Sequence, residues 1–403
     1  MSTMSADAGQ SFHPSMLLYD ARYRSLTIQV IAAILIVLGL SWLLSNVVQN
    51  LAAQGKDFDF GFLGQRAGYD INQRLIEYTS DSTHTRAALV GILNTMLVAF
   101  LGCLLATILG VIAGVLRLSN NWLVARLMTV YVEGFRNVPL LLWIIAIFAI
   151  MTESMPQPRD FREGGGASMW FESIAVTNRG IYVPMPVWGA GSTILVAVFI
   201  ASLVAIWAFR RYAHKRQEAT GQILPVLPIS LALFFIPSLL FYFILGRPVT
   251  LSYPELGGFN FNGGLHLRNS LIALWLALSL YTGAFIAEIV RGGILAISKG
   301  QSEAAFALGL RPRRTMSLVI LPQAMRVIIP PLISQYLNLT KNSSLAIAVG
   351  YMDVRSTLGG VTINQTGREL EGMLLVGVFY LVVSLGISAV MNAYNSAIKL
   401  KER

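Results

Sequence analysis

The chain has 403 residues, of which 55% are hydrophobic and only 12% charged, with a mean hydropathy of +0.63 and a formal net charge of +10. Soluble proteins carry about 25% charged residues, so a water-soluble enzyme of ordinary composition is excluded, as are disorder and a collagen repeat. The single cysteine, Cys103, rules out a disulfide scaffold and reads as a small core residue inside an apolar run.

A bilayer core about 30 Å thick needs roughly 20 mainly apolar residues per helix. Eight segments qualify, near 28–48, 87–116, 128–151, 187–209, 223–245, 270–290, 327–350 and 373–397, which predicts an all-α polytopic membrane protein of about eight transmembrane helices. The first segment does not read as a signal peptide, because its leading region is long and Leu51-Ala52-Ala53 fails as a cleavage site. With a cytoplasmic N-terminus, Arg22, Arg24, Arg117, Arg126, Arg136, Arg210, Arg211, Lys215 and Arg216 fall inside. So do Arg291, Lys299, Arg311, Arg313, Arg314, Arg326, Lys399, Lys401 and Arg403. Most of the 30 lysines and arginines then lie inside and most of the 20 acids outside, with both termini cytoplasmic. The basic excess orients the chain and requires no nucleic acid. The outer segments, near 49–86, 152–186, 246–269 and 351–372, mix glycine, proline, aromatic and charged residues, and would be ordered only by packing on one another or on a partner.

Within the second helix, Gly110-Val-Ile-Ala-Gly114 permits close approach of a neighbouring helix, most simply one from the same chain. Glu133 and Glu288 lie at the margins of apolar segments, and Arg136 and Arg291 at i,i+3 are the expected partners in two interfacial ion pairs. Between the sixth and seventh helices, Ser298 with Gln301 resembles a capping box, and Glu303 to Leu308 are good helix formers. Gly309 suits a helix stop, and Pro312 prevents continuation. The expectation is a short helix across the inner mouth, with a small-residue centre at Ala304 and Ala305 against which a partner surface docks.

Further on, Gln335, Asn338, Thr340, Lys341, Asn342, Ser343 and Ser344 interrupt an otherwise apolar seventh helix just after Pro330-Pro331. Polar groups at membrane depth are tolerated only against protein or a water-filled cavity. A lone lysine at the bilayer centre costs about 2.5–3.5 kcal/mol. These seven residues are the candidate substrate path, with the Lys341 ammonium placed to attract a carboxylate. The alternative is a helix that ends there, with Lys341 snorkelling to the outer headgroups.

Much chemistry is missing. No G-x-x-x-x-G-K-[ST] loop is present for ATP, and no G-x-S-x-G elbow. His13, His84, His214 and His266 stand singly, without metal-ligand spacing. No catalytic residue, metal or cofactor is expected on this chain.

Glu303-Ala304-Ala305, followed by Gly309, Val319 and Leu321-Pro322, resembles the EAA loop of ABC-importer permease subunits, here over 298–322, with valine at 319 where isoleucine is usual. Asn94-Thr95-Met96-Leu97, Tyr131 through Pro139, Ala287 through Ile294 and Leu337 through Leu345 resemble the polar amino-acid, histidine-permease-like branch of that family. The additional first helix and a pair near 187–245 make the chain similar to the long, Q-type permease subunits of general L-amino-acid or glutamate/glutamine/aspartate/asparagine importers. The resemblance implies a type I permease core of about five helices, in two parts at 87–151 and 270–398. Residues 1–86 would then be an N-terminal segment, helix and loop, 152–269 an insertion of loops and a helix pair, and 399–403 a tail. It also implies a place in the bacterial inner membrane, beside an M-type permease subunit, ATPase subunits that bind ATP and Mg, and a periplasmic amino-acid-binding protein. Glu303, Ala304, Ala305, Gly309, Leu321 and Pro322 would couple to the ATPase. An ion-coupled secondary transporter or channel subunit is the alternative, and it would need titratable groups at mid-membrane that the sequence barely shows.

Overall fold

The long apolar runs leave the backbone no partner but itself, and in lipid that demands helix. In the computed structural model, which describes residues 21–53, 55 and 58–398, seven helices are long and apolar enough to cross a membrane, or eight if a bent pair is one span. The expected cytoplasmic N-terminus and the tail 399–403, with Lys399, Lys401 and Arg403, lie outside the described residues. Helix α1 spans Ala21–Ala53 and α2 His84–Leu116. The segment expected as one helix over 128–151 is two, α3 at Trp122–Asn137 and α4 at Leu140–Ser154, bent by 108°. Pro139 is the cause: it has no N–H and holds Val138 extended, at φ −109° and ψ 134°. At 15 residues, α4 is about 22 Å long, short of a full bilayer core.

Helices α5 (Ser192–Thr220) and α6 (Val226–Ile244) form the extra pair, and α7 spans Asn269–Leu295. Two short helices follow, α8 (Lys299–Ala307) and α9 (Pro312–Thr315), then a π-helical turn at Met316–Ile320. Helix α10 (Leu321–Asn342) runs on into a 3-10 segment, Ser343–Val349. Helix α10 passes unbroken through Pro330 and Pro331, so Gln335 to Asn342 are helical residues, and it ends within the polar run, where Ser343 and Ser344 begin the 3-10 segment. Short α11 (Val354–Ser356) and α12 (Ile363–Thr366) precede α13, Glu369–Ile398.

Helix α7 is the centre of the core. Of its most apolar window 72% is buried inside the chain, against 6% for α5, α6 and α13 and none for α1. Those four present apolar surface outward, to lipid or to other chains. Glycines let α2 and α7 approach closely. A Cβ at Gly110 would lie 2.5 Å from Ile286 Cβ and 2.9 Å from the Gly283 carbonyl oxygen, and one at Gly114 would lie 2.6 Å from that of Ala287. The expected close approach is thus made within the chain. Cys103 is half-buried and packs against the same core.

The polar segments expected on the outer side carry short strands that the apolar pattern did not predict. β1 (Ala175–Thr177) and β2 (Gly180–Val183) join β7 (Leu265–Arg268) in one antiparallel sheet. β3 (Met185–Trp188) pairs with β4 (Val249–Ser252), and β5 (Glu255–Gly257) with β6 (Asn260–Asn262). Strands before α5 therefore pair with strands after α6, so the helix pair leaves from and returns to one ordered region.

Candidate functional site

Helix α8 is built much as its sequence suggests, with one difference. Ser298 is extended at φ −62° and ψ 141°, but its hydroxyl makes no cap bond, and only its carbonyl accepts, from the Gln301 N–H at 3.1 Å. The expected capping box is not formed. The stop is complete: the Gly309 N–H donates to the Phe306 carbonyl at 2.9 Å and the Leu310 N–H to that of Ala305 at 3.1 Å. Gly309 sits at φ +77°, where a Cβ would be strained. The two central alanines face opposite ways. Ala305 is 3% exposed, whereas Ala304 and Glu303 are exposed, with Phe306 at 50% and Leu308 at 82%. The Gln323 side-chain amide donates to Gln301 Oε1 at 3.2 Å and ties α8 to the start of α10, where Leu321 and Pro322 are exposed. Arg311, Arg313 and Arg314 are exposed just beyond. The result is a small-centred, partly apolar face edged with arginine, held at both ends and exposed among the described residues. Exposed apolar surface of this kind marks an interaction site.

The two acidic residues at the helix margins belong to one network. Glu288 pairs with Arg291 at 2.5 Å, as expected, and also with Arg117 at 2.5 Å. Glu133 does not pair with Arg136; its partner is Arg117, at 3.7 Å. Arg136 instead lies 4.0 Å from Glu288 and over the Phe285 ring at 5.3 Å. The reason is placement: Arg117 ends α2, is only 10% exposed, and reaches both carboxylates. It thereby joins α2, α3 and α7. Sequence reasoning passed over Arg117, although a basic residue directly after a 33-residue apolar helix is a visible signal.

The polar residues of α10 separate by environment. Lys341 is exposed and Ser344 half-buried, and both line a cavity of about 370 Å³ with Tyr380, Leu381 and Ser384 of α13. Thr340 and Ser343 are buried, with hydroxyls donating to the Tyr336 and Thr340 carbonyls at 2.8 and 2.7 Å. Asn338 is exposed, and Gln335 and Asn342 are half-buried. Of the seven candidates, the fold brings Lys341 and Ser344 into one cavity.

Near the start of α2, Asn94 and Thr95 serve as anchors. The Asn94 amide donates to the Gln73 and Met352 carbonyls at 2.7 and 2.9 Å, and Thr95 Oγ1 accepts from the Val354 N–H at 3.0 Å. Beside them Asp353 is fully buried, and its Oδ1 accepts from the Ser356 N–H and hydroxyl, each at 2.8 Å. Burial pushes this carboxyl above its ordinary range. Among the described residues, no group of three or more His, Cys, Asp or Glu side chains is placed to hold a metal.

Residues 222–400 match the family described as binding-protein-dependent transport system inner membrane component. The chain is 55% identical over 418 residues, covering 97% of each protein, to the glutamate/glutamine/aspartate/asparagine transport system permease protein BztB of Rhodobacter capsulatus. It is 46% identical over 398 residues to the general L-amino acid transport system permease protein AapQ of Rhizobium johnstonii, covering 98% of this chain and 96% of that one. The glutamate/aspartate import permease protein GltK of Escherichia coli O6:H1 is 37% identical over 134 residues, 32% of this chain and 58% of GltK.

Proposed function

The chain belongs to the binding-protein-dependent permeases of amino-acid ABC importers, and within that family we propose that it carries acidic L-amino acids and their amides inward, driven by a separate ATPase. The observation that carries the coupling is α8, a short helix on the basic side of the chain whose exposed face is small and partly apolar. Glu303, Ala304 and the exposed Leu321 and Pro322 present that face to the ATPase, while Ala305 is buried beneath it and Gly309 ends the helix. ATP and Mg belong to the ATPase chain, and this chain supplies the route. The partners are a second permease subunit of the M type, the ATPase subunits and a periplasmic amino-acid-binding protein, in the bacterial inner membrane with both termini cytoplasmic. Lys341 and Ser344 contribute to the route, the ammonium drawing the substrate carboxylate. The ion-coupled alternative is not favoured: the clustered carboxylates Glu133 and Glu288 are paired with arginines where α2, α3 and α7 meet.

Replacing Ala304 by tryptophan tests the docking face. A bulky side chain overpacks a close contact, so Ala304→Trp complexes are expected to lose ATP hydrolysis stimulated by the loaded binding protein, while Ala304→Ser retains it. Undiminished stimulation in Ala304→Trp would remove α8 from the coupling.

A further inference from the structure

A second polar cavity, of about 350 Å³, opens at the outer end of the core where the 58–83 loop, the β1-β2-β7 sheet and the start of α7 converge. Arg179, Arg268, His266 and the amides of Asn72, Asn178 and Asn269 line it, and no aspartate or glutamate does. The pairing Gly180↔Arg268 brings the two arginine-bearing strand ends together. Glycine is required at that crossing, because a Cβ at Gly180 would lie 2.6 Å from His266 Nε2.

The groups are left incompletely paired. Arg268 donates to Asn72 Oδ1 and Arg179 to the Phe259 carbonyl, both at 3.1 Å, and among the described residues neither guanidinium has a carboxylate partner. Each guanidinium carries five N–H donors, so most remain available. Asn269 is only 4% exposed; its amide donates to the Asn178 carbonyl at 2.6 Å, but its Oδ1 is buried without a partner. Asn178 Oδ1 is likewise buried and unpartnered. Such acceptors cost free energy until a donor arrives. The site therefore offers fixed positive charge together with unfilled acceptors, in a volume suited to a small molecule.

We propose that this cavity binds the zwitterionic head of an α-amino acid, with Arg179 and Arg268 taking the carboxylate and the Oδ1 atoms of Asn178 and Asn269 accepting from the ammonium. It is an outer waiting site, bordered by strands that flank the extra helix pair and distinct from the Lys341 cavity. The inference rests on the amino-acid import reading and adds where the substrate pauses before the membrane route.

The test is equilibrium titration of L-glutamine and glutarate onto the intact permease–ATPase complex in nanodiscs, without binding protein. Wild type is expected to bind L-glutamine more tightly than glutarate, which lacks the ammonium. Arg268→Gln and Arg179→Gln are each expected to weaken glutamine binding about tenfold or more, with Arg268→Lys intermediate, and the weakening persists in a Lys341→Met background. Asn269→Leu is expected to erase the preference over glutarate. Thermal melting confirms folding, and the exposed Arg179 keeps the test valid if the Asn269 variant does not fold. Wild-type affinity in both arginine variants, alongside normal uptake by the wild-type complex, would overturn this site alone. Unchanged glutamine affinity with weakened capture of the loaded binding protein would also overturn it and make the arginines a docking patch. A wild-type complex that neither binds nor imports amino acids would overturn the import reading itself.

Discussion

Lys341 is legible in the sequence as a lone cation in an apolar run, but its neighbours are not. Thr340 and Ser343 look like route residues because they are polar, yet their hydroxyls are consumed by carbonyls one turn back on their own helix. The groups that share the Lys341 cavity include Tyr380 and Ser384, which come from α13 and carry no local signal. Arg117 was hidden in the same way, because the carboxylates it joins, Glu133 and Glu288, lie on two other helices. If Lys341 draws the substrate carboxylate, Lys341→Met should lower kcat/KM for glutamate uptake about tenfold or more, the usual worth of a charge-assisted hydrogen bond. Reconstituted vesicles with correctly melting complexes provide the measurement. Wild-type kinetics would leave Lys341 a surface anchor at the headgroups.

Helix ends and stops were readable where one residue type decides them. Gly309 stops α8 because its backbone is left-handed, and Pro312 starts α9 because its missing N–H is harmless in a first turn. The break between α3 and α4 was masked, because Pro139 sits inside a run apolar enough to read as one span. The strands escaped for a different reason: each is three or four residues long, too short for alternation to show, and partners such as Gly180 and Arg268 lie on opposite sides of the helix pair. Gly110 and Gly114 were readable as a packing motif, and the fold supplies the partner in α7. Gly110→Leu and Gly114→Leu should each destabilise the detergent-solubilised complex by about 1–3 kcal/mol through overpacking. Gly377→Ala, at a helical position with open space around its Cβ, should leave the melting temperature unchanged or slightly raised. Equal melting temperatures for all three variants would mean that α2 and α7 do not meet at those glycines.

Across the whole molecule, the number of long apolar helices was legible because the bilayer imposes their length and composition. Arg210 and Arg211 follow the most apolar stretch of α5, which runs on to Thr220. Which surfaces meet other chains is less directly written, since an apolar residue facing lipid and one facing a subunit look alike in sequence. The exposed faces of α1, α5, α6 and α13 illustrate this. The exposed face of α8 differs because it lies on a short helix beside basic loops and not on a span, and the import account depends on it. The most direct measurement is uptake of labelled glutamate and glutamine into proteoliposomes holding this chain with its ATPase, its binding protein and the proposed second permease subunit. Uptake is predicted to require both ATP and binding protein, to persist when proton and sodium gradients are collapsed, and to fail in Ala304→Trp. Gradient-driven uptake without ATP, undisturbed by that substitution, would contradict it.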